Sequence, residues 1–225
     1  MEKKRIAGQK STEYIKDGMI LGLGTGSTAY YMIKEVGAMV QGGMNLKAVA
    51  TSKSTENLAK EFKIPLVPID KVDRIDLAID GVDEIDKEFN AIKGGGGALF
   101  REKIVDSLAK EVIWIMDDSK LVDRIGKFPL PVEILPYGYK HVIRKLESYS
   151  LNPVIRIQDD KFFITDNGNY IVDLYIGNPI NINEFYSKVN VITGVLETGL
   201  FINTCNRIIV GTDTGVKVIE NTLGD

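Results

Sequence analysis

A chain of 225 residues, 44% of them hydrophobic, can bury a full core and fold without staples. Its formal charge of −3 supplies no basic field, which excludes a general nucleic-acid binder and leaves room only for a small, locally held anion. A single cysteine, Cys205, and a single histidine, His141, exclude an intramolecular disulfide and a zinc cluster, so both read as structural.

The charged start Met1-Glu2-Lys3-Lys4-Arg5 runs into no apolar leader, and no window approaches about 18 apolar residues, so the expected setting is the cytoplasm, away from membranes. Glu2 to Ile15 reads as an amphipathic helix with solvated lysines at its start. Met19 to Leu23 is a short apolar strand, and Gly24-Thr25-Gly26-Ser27-Thr28 joins it to a helix from Ala29 to Val40. That turn lacks the lysine and spacing of a Walker loop, and no acidic residue follows about 20 positions on, as a dinucleotide site requires. The hydroxyls of Thr25, Ser27 and Thr28 and the helix N–H donors fit a small phosphate or a hydroxyl-rich ligand. A plain N-cap role for Ser27 or Thr28 is compatible with that.

Leu46 to Ala50 reads as a strand, Ser52 to Phe62 as a helix, and Pro65 to Ile69 and Ile75 to Ile79 as strands. This rhythm predicts an α/β fold, a mainly parallel Rossmann-like sheet flanked by helices, with ligands at the carboxyl ends of its strands. At one such end stands Asp80-Gly81-Val82-Asp83-Glu84-Ile85-Asp86. Asp80 and Asp83 fall at the ligand edge, while Glu84 and Asp86 read as solvent-facing loop charges. The oxygens would suit Mg²⁺ or Ca²⁺, but the spacing is not that of an EF-hand and Lys93 competes for the same carboxylates.

Lys93 precedes four consecutive glycines, Gly94 to Gly97, and a helix from Ala98 to Lys110. Such a run is entropically costly inside an ordered domain, which points to a tight turn whose N–H groups face an anion or a developing oxyanion. A flexible linker would carry serine and polar neighbours instead. Glu102 stands one turn inside the helix, where a carboxylate is by default a dipole partner. Glu111 to Met116 is a further strand with Trp114 in the core, and Asp117-Asp118-Ser119-Lys120 puts Lys120 at its carboxyl end.

Beyond Lys127-Phe128-Pro129-Leu130-Pro131 the rhythm changes. Strand Val132 to Leu135, helix Tyr139 to Ser148, strand Val154 to Ile157, a hairpin of Phe162 to Ile164 and Tyr170 to Tyr175 about Asp166-Asn167-Gly168-Asn169, helix Ile182 to Val189 and strand Val191 to Leu196 follow. The expectation is an inserted smaller α+β domain of ferredoxin-like type over residues 130–204, with 1–129 and 205–225 forming the catalytic α/β domain. Ile208 to Val218 reads as two strands around a turn at Asp213.

Hydroxyls, carboxylates, two lysines and a glycine turn at one sheet edge suit proton transfer on a small anionic, hydroxylated substrate. One carboxylate would move a proton between neighbouring carbons while ammonium and amide donors hold the enediolate oxygens. In these motifs, and in Gly126-Lys127-Phe128-Pro129-Leu130-Pro131-Val132-Glu133, Thr165 to Asn169 and Gly211-Thr212, the sequence resembles the A-type ribose-5-phosphate isomerase family over essentially its whole length.

The resemblance implies interconversion of D-ribose 5-phosphate and D-ribulose 5-phosphate through a cis-enediolate, in the non-oxidative pentose phosphate pathway, without metal or organic cofactor. It also implies a homodimer or homotetramer. Glu102 takes the place of the general base. Asp80 and Asp83, with Gly81 and Val82 between them, contact the sugar and assist opening of its ring, and Lys93 supports O1 and O2. Thr25, Gly26, Ser27, Thr28 and Lys120 hold the substrate and its phosphate, Gly94, Gly95 and Gly96 line the site through backbone, and Lys4 or its neighbour Lys3 reaches the phosphate. Val82 stands where alanine is common and Phe100 where a smaller residue is, which touches pocket shape alone. A non-catalytic sugar-phosphate sensor module would need the same cradle without Glu102, and a transferase with Glu102 as nucleophile would need room for a nucleotide.

Overall fold

The computed structural model describes residues 1–177 and 181–222. In chain order the elements are α1 (Glu2–Ser11), β1 (Ile20–Leu23), α2 (Ala29–Gln41), β2 (Lys47–Ala50), α3 (Lys53–Glu61), β3 (Leu77–Gly81), β4 (Glu84–Ile85), β5 (Ala91–Ile92), α4 (Leu99–Leu108), β6 (Val112–Asp117), β7 (Leu130–Ile134), α5 (Tyr139–Ser148), β8 (Pro153–Ile155), β9 (Ile157–Gln158), β10 (Lys161–Phe162), β11 (Tyr170–Leu174), α6 (Ile182–Val189), β12 (Val195–Thr198), β13 (Leu200–Phe201), β14 (Arg207–Thr212) and β15 (Gly215–Glu220). Short 3₁₀ turns follow α1 at Thr12–Tyr14 and β6 at Asp118–Lys120. Among the described residues no helix is long and apolar enough to cross a membrane.

The chain divides into two compact units. The first holds Met1–Val82, Arg101–Lys120 and the chain from Asn203 on. Its six-stranded sheet has the order β15-β14-β6-β3-β1-β2. β14, β6, β3, β1 and β2 run parallel and β15 returns antiparallel at the edge. The central strands are unbroken apolar runs because a parallel sheet covered by helices buries both faces. Leu21, Leu23, Ile79, Ile113, Ile115 and Ile209 are buried with Ala7 of α1 and Met32, Ile33 and Val36 of α2 in one core.

The second unit holds Asp83–Phe100 and Leu121–Ile202. The succession β7-α5-β8-β11-α6-β12 builds a four-stranded antiparallel sheet of order β12-β7-β11-β8, the split βαβ arrangement the sequence predicts. Its core joins Leu130, Val132, Ile134, Val142, Leu146, Val172, Leu174, Phe185 and Val189. A three-stranded sheet, β13-β5-β4, carries the segment that leads to the glycine run.

Several local expectations are corrected. Pro65 to Ile69 is no strand but a single parallel bridge of Leu66 to Ala48, because Pro65 and Pro68 lack the N–H groups that would extend it. Ile157 to Phe162 forms its own hairpin around Asp159 and Asp160, both at positive φ, and only the bridge Ile164 to Tyr170 remains of the longer hairpin. The strand expected from Val191 starts at Val195, after a turn at Gly194 with φ of +100°. Glu84 and Asp86 are buried rather than solvent-facing. Glu84 accepts the N–H groups of Gly126 and Phe128, and Asp86 accepts those of Glu88 and Asn90.

Candidate active site

In the first unit β1 passes into its loop at Gly24 because Asp80 of β3 occupies the space a side chain would need. A Cβ at Gly24 would lie 2.0 Å from Asp80 Oδ1 and 2.4 Å from Asp80 Cα. Asp80 is only 2% exposed, and its Oδ1 accepts the N–H groups of Thr25 at 2.9 Å and Gly81 at 2.6 Å. Two amides thus fix the direction of the carboxylate. Gly24→Ala is expected to cost about 1–3 kcal/mol of stability, the scale of overpacking. Urea unfolding measures it, and an unchanged midpoint would show that the ends of β1 and β3 part freely.

The loop residues divide by what their hydroxyls do. Thr25 Oγ1 is engaged inside the unit with Thr51 at 2.8 Å, Ser52 at 2.8 Å and Thr55 at 3.1 Å. Ser52 also caps α3 by accepting the N–H of Thr55. At the start of α2, by contrast, Thr28 makes no side-chain cap bond. No side chain caps the thirteen-residue helix; Tyr30 and Tyr31 N–H donate to Gly26 O at 3.0 Å and Thr28 O at 3.1 Å, and its positive dipole end lies behind Gly26 at φ +115°, exposed Ser27 and buried Thr28. Such an end, with hydroxyls beside it, favours an anion.

The structure also separates the two N-terminal lysines. Lys4 Nζ donates to Ser27 Oγ at 2.9 Å and stands 3.9 Å from Asp117 Oδ2. Lys3 pairs instead with Asp118 at 3.0 Å and Asp213 at 2.9 Å. Burial pushes the Asp117 carboxyl up, but the hydroxyl and N–H of Ser119 and the charges of Lys4 and Lys120 outweigh it and hold the group below its ordinary value. Asp117 is therefore a carboxylate at neutral pH, with the Lys4 ammonium 3.9 Å away near the end of β6. Glu102 lies in the first turn of α4 and is 5% exposed, whereas its neighbour Arg101 reaches Glu56 at 3.7 Å.

In the second unit Asp83 donates its N–H to Ile92 O at 3.0 Å and accepts the N–H of Gly95 on Oδ2 at 2.7 Å. Lys93 follows β5 and donates its N–H to Gly199 O at 2.8 Å. Its side chain is 1% exposed, with Nζ 5.4 Å from the centroid of the Phe201 ring. A buried ammonium needs compensation, and an aromatic face supplies part of it. The glycine run is an ordered turn: Gly94 and Gly97 have φ of +97° and +78°, and Gly97 N–H closes on Gly94 O at 2.9 Å. Gly95 and Gly96 are exposed, while Gly94 and Val82 are buried.

The first unit therefore brings Asp80, Gly81 and Thr25 to Thr28 together with Lys4, while the second brings Asp83 onto Gly95. Sequence reasoning missed the hydroxyls of Thr51, Ser52 and Thr55 that brace Thr25. The run Thr51-Ser52-Lys53-Ser54-Thr55 directly after β2 was the available signal.

The model of the family described as ribose 5-phosphate isomerase A (phosphoriboisomerase A) matches residues 47–215. A ribose-5-phosphate isomerase A of Bacillus mycoides is 48% identical over 218 residues, which span 96% of this chain and 99% of that protein. The solved ribose 5-phosphate isomerase A of Methanocaldococcus jannaschii is 40% identical with a TM-score of 0.89, covering 96% of this chain and 97% of the other. A D-ribose-5-phosphate isomerase solved in complex with phospho-erythronic acid is 39% identical with a TM-score of 0.92, with coverage of 96% and 97%.

Proposed function

The chain belongs to the ribose 5-phosphate isomerase A family, and from that membership we propose the part each side chain plays in the reaction. The protein is an aldose–ketose isomerase that interconverts D-ribose 5-phosphate and D-ribulose 5-phosphate. The observation that carries the assignment of roles is a buried carboxylate, Glu102, in the first turn of a helix that directly follows the glycine turn.

Glu102 removes the proton from C2 and returns it to C1 through a cis-enediolate. Asp80, whose direction is fixed by two amides, and Asp83 receive sugar hydroxyls and assist opening of the furanose ring. Lys93 and the backbone of Gly94, Gly95 and Gly96 meet the negative charge that develops on O1 and O2. The phosphate sits at the start of α2, on Gly26, Ser27 and Thr28, with Lys4 and Lys120, while Thr25 shapes the loop through its hydroxyl network. Phospho-erythronic acid, an anionic sugar acid phosphate bound by a relative, fits a site that tolerates a carboxylate where the enediolate forms.

The ammonium and amide donors provide the positive field, so the reaction is proposed to need no metal. A homodimer or homotetramer in the cytoplasm is the proposed state, and the half-exposed Val154, Ile157 and Ile164 of the second unit supply apolar surface for association.

The test is incubation with ribose 5-phosphate under a chelator, followed by ³¹P NMR. Ketose phosphate should accumulate to equilibrium, and saturable binding without ketose would favour a sensor. Lys4→Ala should raise KM by about tenfold, as one charge-assisted phosphate contact warrants, with kcat little changed. Lys3→Ala should leave KM unchanged; the reverse pattern would move the phosphate contact to Lys3.

A further inference from the structure

Arg156 stands between β8 and β9 in the second unit, with its backbone held on both sides. Its N–H donates to Ile171 O at 2.8 Å and its carbonyl accepts Phe163 N–H at 2.9 Å. The guanidinium makes a bidentate pair with Asp173 of β11, Nε to Oδ2 at 2.8 Å and Nη2 to Oδ1, with both side chains largely buried. Nη1 then donates to the carbonyls of Gly94 at 3.0 Å and Gly95 at 3.1 Å. An ion pair alone would be structural. The two carbonyls make it more than that.

They belong to the peptide units that carry the N–H groups of Gly95 and Gly96. A trans peptide points its C=O and N–H in opposite directions, so anchoring both oxygens on Arg156 turns both N–H groups away from it. The N–H of Gly95 reaches Asp83 Oδ2 at 2.7 Å, so one peptide unit links the guanidinium to that carboxylate. Glycine peptides rotate at low cost; Gly97 N–H already holds Gly94 O at 2.9 Å, and the guanidinium adds a second anchor on that carbonyl and extends the hold to Gly95 O. A rigid cationic fork selects one orientation and polarises the peptide groups, which strengthens their N–H donors. Phe163 completes the brace: its ring would lie 2.4 Å from a Cβ at Gly97, and Arg156 Cζ is 5.6 Å from the ring centroid.

We propose that Arg156, held by Asp173, is a positioning residue that sets the direction of the Gly95 and Gly96 amides and of the Asp83 carboxylate. The proposal rests on the isomerase reading above, in which those groups meet the reacting end of the sugar. It acts on the transition state through other groups, so its removal should appear in kcat.

Arg156→Ala leaves Asp173 without its partner, so Arg156→Ala with Asp173→Asn is the second variant, and urea unfolding fixes the folded fraction of each. Per folded protein, kcat should fall about 10- to 100-fold, the scale of misaimed donors, with KM within about threefold. Arg156→Lys should fall between, because an ammonium cannot hold the carboxylate and both carbonyls together. Millimolar guanidinium should restore part of the kcat of Arg156→Ala. An unchanged kcat per folded protein, or a loss wholly in KM, would overturn the proposal while wild-type turnover leaves the isomerase reading standing. A wild-type protein that forms no ketose would overturn both.

Discussion

Glu102→Gln is expected to lower kcat by about two to four orders of magnitude while KM stays within about threefold. The amide keeps the size and hydrogen-bonding shape of the side chain but has no basic oxygen to take a proton. Because Glu102 is 5% exposed, bulk water has poor access to its place and cannot substitute as the base. The side chain sits on a helix rather than a loop, so its position should survive the substitution. Steady-state kinetics with ribose 5-phosphate checks this. A kcat within about threefold of wild type would remove Glu102 from the reaction.

Lys93→Met should lower kcat by about two to three orders of magnitude, the range for losing one donor to a developing oxyanion. Methionine retains most of the apolar stem against Phe201 and removes only the charge, which separates chemistry from packing. Burial sharpens the expectation, since an ammonium shielded from water acts on a nearby oxyanion with little screening. Urea unfolding gives the folded fraction of the variant, so that the loss is read per folded protein. A loss confined to KM would place Lys93 on the ground-state sugar or on the phosphate instead.

Legibility followed the range of the forces involved. β1, β3 and β6 announce themselves as apolar runs that end in, or are followed at once by, glycine or aspartate, because a covered parallel sheet buries both strand faces and leaves its carboxyl ends to function. That placed Asp80, Lys120 and the Thr25 to Thr28 loop correctly at strand ends. The split βαβ topology of the second unit was readable for a similar reason, from helix and strand periods in succession.

What was not readable depended on partners far along the chain. Glu84 looks like one more loop charge until the amides of Gly126 and Phe128, more than 40 positions on, are seen to hold it. β4, β5 and β13 have two residues each, too short for any period. Lys3 and Lys4 are equivalent in sequence, and only the helix phase sends one to Asp118 and the other to Ser27. Arg156 carries no local motif at all, and its role follows from two carbonyls about 60 positions earlier.

The central claim is that a protein carboxylate carries a proton between C2 and C1 of the sugar phosphate. Equilibration of ribose 5-phosphate in D₂O, followed by NMR at C2 of the aldose and C1 of the ketose, tests it directly. Wild type should place one deuterium at C2 of the aldose and one at C1 of the ketose over repeated turnovers, and Glu102→Gln should lose the labelling and ketose formation together. Glu102→Gln that still labels C2 of the aldose and forms ketose at close to the wild-type rate would contradict the account.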